Sequence, residues 1–173
     1  YGVPTADKPC FLELKKKYKG IVFKRRISAP YTDIKSYMAG EDNGIENSQI
    51  LKEIDYFRRF YGCLKPAADI FYDREAFYDR TDSSVRLTFD SNVLARGWDL
   101  ELENGIYGER VLENGLYILE VKTPGAMPMW IAEMLNEFKI YPIPFSKYGT
   151  AYKNGLLTRE NKKIITLGGE YCA

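Results

Sequence analysis

Four β-type runs of this chain each carry lysine or arginine on one face, at alternate positions in the first two, and that rhythm leaves few arrangements open. Side chains alternate across a strand, so residues two apart share a face. In residues 11–17, Phe11, Glu13, Lys15 and Lys17 fall together, opposite Leu12, Leu14 and Lys16. In residues 21–27, Val22, Lys24 and Arg26 share a phase. In residues 85–93, Arg86, Thr88 and Asp90 oppose Val85, Leu87 and Phe89. In residues 116–122, Leu116, Ile118, Glu120 and Lys122 oppose Tyr117, Leu119 and Val121. An antiparallel sheet with one wet and one packed face accommodates this pattern. A closed or nearly closed sheet, polar inside and covered outside by helices, accommodates it too. Two like charges about 6 Å apart cost roughly 3 kcal/mol at an effective dielectric near 20, so a cationic inner face would call for a bound polyanion. Pattern alone leaves both open.

The remaining elements read as an α+β domain in which helices pack on an antiparallel sheet. Lys19-Gly20 joins the first two runs as a hairpin. Asp33 caps a short helix through Met38, and residues 39–44 form a loop. Ser48 caps a helix with Ile50, Leu51, Ile54 and Phe57 at helical spacing, ended by Gly62. Residues 68–72 are a further strand, and Asn104-Gly105 and Asn114-Gly115 are hairpin turns. Pro128 opens an amphipathic helix carrying Trp130, Ile131, Met134, Leu135 and Phe138, and Ser146 caps a last helix through Tyr152. The tail 156–173 is weakly patterned. At 173 residues the chain suits one domain or at most two small ones, and is read as one, 1–173; a chain this long buries about 70% of its unfolded surface without staples.

Charge and composition exclude several chemistries. Histidine is absent, which removes Ser/His and Cys/His triads and His-ligated zinc. Three dispersed cysteines fit reduced thiols in the cytoplasm, and no apolar run is long enough to cross a bilayer. The net charge of +1 argues against a wholly basic nucleic-acid binder. The fourteen tyrosines are not interleaved with one basic stripe, so they suit packing better than base stacking. Yet the sum hides an uneven distribution, with eight cations against Glu13 alone between Lys8 and Arg26.

Five segments carry a resemblance: Glu13-Leu-Lys15, Phe23-Lys24-Arg25-Arg26, Arg86-Leu-Thr-Phe-Asp90, Leu119-Glu120-Val-Lys122 and Phe145-Ser-Lys147-Tyr148. Their order resembles the polyphosphate polymerase domain of the vacuolar transporter chaperone family, a triphosphate tunnel metalloenzyme, over residues 11–152. The resemblance implies an antiparallel barrel around a cation-lined tunnel, with ATP and polyphosphate as partners and Mn²⁺ or Mg²⁺ as cofactor. It implies that Lys15, Lys24, Arg86, Lys122 and Lys147 act on the phosphates in catalysis. Arg26, Arg74, Arg96 and Ser146 would bind substrate, and Glu120 would hold the metal. It also implies that the opening strands of such a barrel precede Tyr1. A tunnel-fold triphosphatase and a non-catalytic polyanion-binding module are the alternatives. The residue chemistry suits phosphoryl transfer, which needs positioning and charge rather than a histidine base. Oligomeric state is left open.

Overall fold

The computed structural model describes residues 2–62 and 64–157, and the backbone of 165–166. It forms two compact units, Val3–Pro66 and the chain from Ala67 onward.

The first unit is a long hairpin with two helices. Strands β1 (Pro9–Tyr18) and β2 (Ile21–Pro30) pair antiparallel from Tyr18↔Ile21 to Pro9↔Pro30. Lys19 and Gly20 both take positive φ, 47° and 81°, as a two-residue turn that follows the strand twist requires. Helix α1 (Tyr31–Ala39) starts earlier than the Asp33 signal suggests, because Pro30 sets the extended entry. Asp33 instead lies in the first turn, where the helix dipole favours an acid. Helix α2 (Gln49–Tyr61) is capped as expected, the Ser48 hydroxyl accepting from the Leu51 N–H at 3.2 Å. Leu51 and Ile54 of α2 close on Leu14 and Tyr37, with Leu12, Ile27 and Phe57 around them. Arg58 ties the two helices, donating to the carbonyls of Tyr37 (2.9 Å) and Met38 (3.1 Å) at the end of α1.

The second unit is a five-stranded antiparallel sheet built around one strand. β4 (Arg86–Arg96) pairs along one edge with β3 (Asp69–Tyr78). Along the other edge it pairs with β5 (Tyr107–Arg110) and β6 (Ile118–Lys122), and β7 (Ile165–Thr166) extends β5. β3 runs six residues beyond the expected 68–72, because Asp73 to Tyr78 find ladder partners from Ser91 to Arg86. Neither Asn-Gly pair makes a two-residue hairpin turn. Gly105 closes a short 3₁₀ turn (Leu102–Asn104) inside the longer β4–β5 loop, and Asn114-Gly115 separates two strands that both pair with β4. Helix α3 (Met129–Glu137) covers the apolar face with three of the five residues its spacing marks, while Trp130 and Phe138, the latter just past its end, stay exposed. Ile131, Met134 and Leu135 pack on Leu87, Phe89, Leu119 and Val121.

A bulge in β4 reverses the expected phase. Phe71 pairs with Leu94 but Asp73 with Ser91, so β4 carries one extra residue opposite Tyr72. Asn92 accommodates it at φ 48°, a left-handed conformation asparagine tolerates. Beyond it Ala95 stands opposite Ile70, as Asp90 stands opposite Arg74. Ile70, Tyr72 and Arg74 share one phase of β3, so Val93 and Ala95 join the face of Asp90. Helix α4 (Lys147–Lys153) docks there, its Ala151 buried against Val93, Ala95 and Val111.

Among the described residues the strands form a two-stranded hairpin and a five-stranded sheet, and their pairings do not close into a ring.

Candidate functional site

The face opposite α3 is charged. Cross-strand register places Arg74 beside Asp90, Thr88 beside Glu120, and Arg86 between Tyr78 and Lys122. The docking of α4 brings Lys147 onto the same face, since its Nζ lies 2.5 Å from an Asp90 carboxylate oxygen. Arg74, Arg86, Lys122 and Lys147 therefore gather around Asp90 and Glu120, four cations to two acids.

Asp90 is the hub of this face. It is 1% exposed and accepts from Arg74 through both Nε (2.5 Å) and Nη2 (2.7 Å), besides the bond from Lys147. Tyr72 adds a π face, 4.3 Å from the Lys147 ammonium and 5.0 Å from the Arg74 guanidinium. Burial alone would raise the Asp90 pKa, but the hydrogen bonds and charges of Arg74 and Lys147 outweigh it and hold the carboxyl below its ordinary value. The bond to Asp90 raises the Arg74 pKa in return.

A pH dependence follows. A carboxyl with a depressed folded pKa contributes stability that is present above its unfolded pKa, near 4, and lost as pH falls through the folded value. Replacing Asp90 by asparagine should therefore flatten the loss of stability as pH falls below about 4. Denaturant midpoints measured across that range for both proteins check it.

Glu120 differs from Asp90. Its side chain is 43% exposed, with Lys122 at 3.0 Å and Arg74 at 3.7 Å. Burial pushes its pKa up, and the bond from Lys122 with the charges of Lys122 and Arg74 brings it below the ordinary value. Asp90 is saturated by its two cations, which leaves Glu120 as the accessible carboxylate of this face among the described residues. Among the described residues there is no group of three or more His, Cys, Asp or Glu that could hold a metal. One carboxylate still suits Mg²⁺ or Mn²⁺ where phosphate oxygens and water complete the shell. The donor set thus fits an ion that arrives with a phosphate ligand.

The expected site residues separate into groups. Arg74, Arg86, Glu120, Lys122 and Lys147 come together on the sheet face. Ser146 adjoins Lys147, its hydroxyl accepting from the Gly149 N–H at 3.1 Å as the cap of α4. Lys15, Lys24 and Arg26 lie together in the other unit, on the hairpin face opposite Leu14. There Lys15 is the direct cross-strand partner of Lys24, and Lys24 binds Glu13 at 2.7 Å. Arg26 stacks on Phe11 at 4.4 Å.

Arg96 belongs to neither group. The bulge turns it to the opposite side of the sheet from Asp90, where it is fully buried. It donates to Asp69 (2.7 Å) and to the carbonyls of Gly105 (2.8 Å) and Glu101 (3.2 Å), between the rings of Phe71 and Tyr107. Its donors serve the fold, so the expectation that it binds substrate gives way to a structural role. Asp90 was missed by sequence reasoning, although an acid in the phase of Arg86 is the signal that marks it.

Fold and face together define an α+β protein whose sheet, among the described residues, gathers excess cations around a single accessible carboxylate, an arrangement suited to phosphate anions. The family model of the VTC domain matches residues 1–155, and the chain belongs to that family, which is associated with polyphosphate polymerase activity. The resemblance read from the five segments is therefore borne out. No curated protein matches the chain. Among the described residues no helix is long and apolar enough to cross a membrane.

Proposed function

We propose that this chain transfers the terminal phosphate of ATP to a growing polyphosphate chain, working in the cytoplasm. The observation that carries the reading is the gathering of Arg74, Arg86, Lys122 and Lys147 on one sheet face, with Asp90 saturated beneath two of them. In the transfer, the bond from the γ-phosphorus to the bridging oxygen of ADP breaks. A terminal oxygen of the polymer forms the new bond in line with it. The protein's share is to hold donor and acceptor in line and to stabilise charge on the transferring oxygens. Arg74 and Arg86 offer fixed guanidinium forks, while Lys122 and Lys147 offer point charges that follow a sliding chain. Ser146 retains a hydroxyl proton to donate beside Lys147.

Glu120 would hold Mn²⁺ or Mg²⁺, which when bound neutralises charge on the phosphate oxygens. Lys15, Lys24 and Arg26 would supply further phosphate contacts from the hairpin. This reading carries with it the tunnel-barrel fold of such enzymes and a single working domain over 1–173.

A second reading, a polyanion-binding module without turnover, draws on there being no cluster of three or more metal-capable residues among the described residues. One assay separates the readings. Purified protein with ATP and Mn²⁺ is expected to yield long acid-labile phosphate polymer alongside ADP. Free phosphate as the sole phosphate product would make the chain a triphosphatase. Tight triphosphate binding without turnover would make it a binding module.

A further inference from the structure

We propose that Asp90 is a positioning residue that holds Arg74 and Lys147 together on the charged sheet face, ordered for a phosphate group. The inference rests on the reading that this face handles phosphate, and it adds a device that reading leaves out. Arg74 and Lys147 come from different elements, β3 and α4, 73 positions apart in sequence. Two cations do not adopt adjacent positions unaided, because their mutual repulsion drives them apart. Asp90 supplies the anion that offsets it.

The burial pattern distinguishes a clamp from a competitor for the site. Asp90 is 1% exposed, whereas the Arg74 and Lys147 side chains are 29% and 20% exposed. The carboxylate therefore lies beneath the cations and grips their inner edges. The guanidinium is gripped through Nε and Nη2, which fixes its plane, and the Lys147 ammonium keeps two protons beyond the one given to Asp90. The Tyr72 ring lies against both cations and adds a shared π face to their surroundings. An entering anion meets two donors whose ordering has already been achieved in folding, so less side-chain entropy is lost on binding. A purely structural ion pair would need only one of these contacts to fasten α4 to the sheet. The bidentate grip on a second, partly exposed cation is the part that structure alone leaves unexplained.

A double-mutant cycle tests the assignment. Asp90→Asn, Lys147→Met and the double variant are compared in ATP turnover, in affinity for inorganic triphosphate and in thermal melting. Asp90→Asn is expected to lower kcat at least about tenfold while KM changes less than about threefold, because lost ordering and a lost negative charge act oppositely on binding. The double variant should lose less than the product of the two single losses, because the part of the Asp90 effect exerted through Lys147 is already gone while its grip on Arg74 is not. Strictly additive losses, or a folded Asp90→Asn variant with kcat within about threefold of the parent, would overturn the clamp. If the parent binds triphosphate without turnover, the polymerase reading fails, and the cycle is scored in affinity instead. Coupling then upholds the clamp and additivity ends it. Should Asp90→Asn not fold, Asp90→Glu keeps the charge but moves it by one methylene. Lost turnover, or lost affinity in a parent without turnover, at an unchanged melting temperature upholds the assignment, and unimpaired function removes it.

Discussion

Arg96→Ala should cost about 3–5 kcal/mol of stability, the range for breaking a buried ion pair by removing one partner. The guanidinium is fully buried, and its loss strips Asp69, two backbone carbonyls and two aromatic faces of their shared partner. At about 2–4 °C per kcal/mol for a chain of this size, the melting temperature should fall by roughly 10 °C. The deficit should also vary with pH. Burial already raises the Asp69 pKa despite the opposing charge of Arg96. An acid with a raised folded pKa contributes stability below its unfolded value, near 4, and loses it as pH rises through the folded value. Without Arg96 that pKa climbs further, so the destabilisation should be larger at pH 7 than at pH 4. Denaturant titrations at both pH values measure it, and a deficit under about 1 kcal/mol at pH 7 would contradict the buried-pair account.

Glu120→Gln should have the opposite profile, a large loss of turnover with little loss of stability. The exchange keeps the shape of the side chain and removes the charge a hard divalent cation requires. Its ion pairs with Lys122 and Arg74 are partly solvated, so their loss should cost less than about 1 kcal/mol. Turnover of ATP with Mn²⁺ should fall at least about a hundredfold, in line with the loss of one well-placed electrostatic group in other catalysts. Polymer formation and a thermal melt on the same preparation report both quantities. Full activity in the glutamine variant would remove Glu120 from the metal assignment.

Much of this was legible in the sequence. The Lys19-Gly20 turn, the Ser48 and Ser146 caps, and the α3 face through Ile131, Met134 and Leu135 are local signals, and the structure realises each of them. The phases of Arg86, Thr88 and Asp90 against Leu87 and Phe89 were legible for the same reason, since period two holds while a ladder runs unbroken. Counting failed where pairing partners, not residue types, decide. The charged stretch Asp73-Arg74-Glu75 lies beyond the strand expected over 68–72 and becomes strand because β4 lies beside it. Arg96 is an even number of residues from Arg86 and so counts into the cationic phase, until the bulge reverses it. A trace of that bulge was present, because the consecutive apolar residues Val93-Leu94-Ala95 do not alternate as the preceding residues do. Asp90's importance lies in its contact with Lys147, 57 residues away, which no local pattern encodes.

The extra residue at Asn92 has a consequence for how this arrangement tolerates change. It sits between the carboxylate that grips Arg74 and Lys147 and the small residues on which α4 rests. The distance between these two functions is thus fixed by a count of residues rather than by the identity of any side chain. Point substitutions along the rim of the sheet can be absorbed one by one. A single-residue insertion or deletion between Asp90 and Val93 cannot, because it would leave the cations and the helix that delivers Lys147 facing opposite ways. The chain's chemistry is in this sense punctuated: its reading frame within β4 matters more than many of the letters written in it.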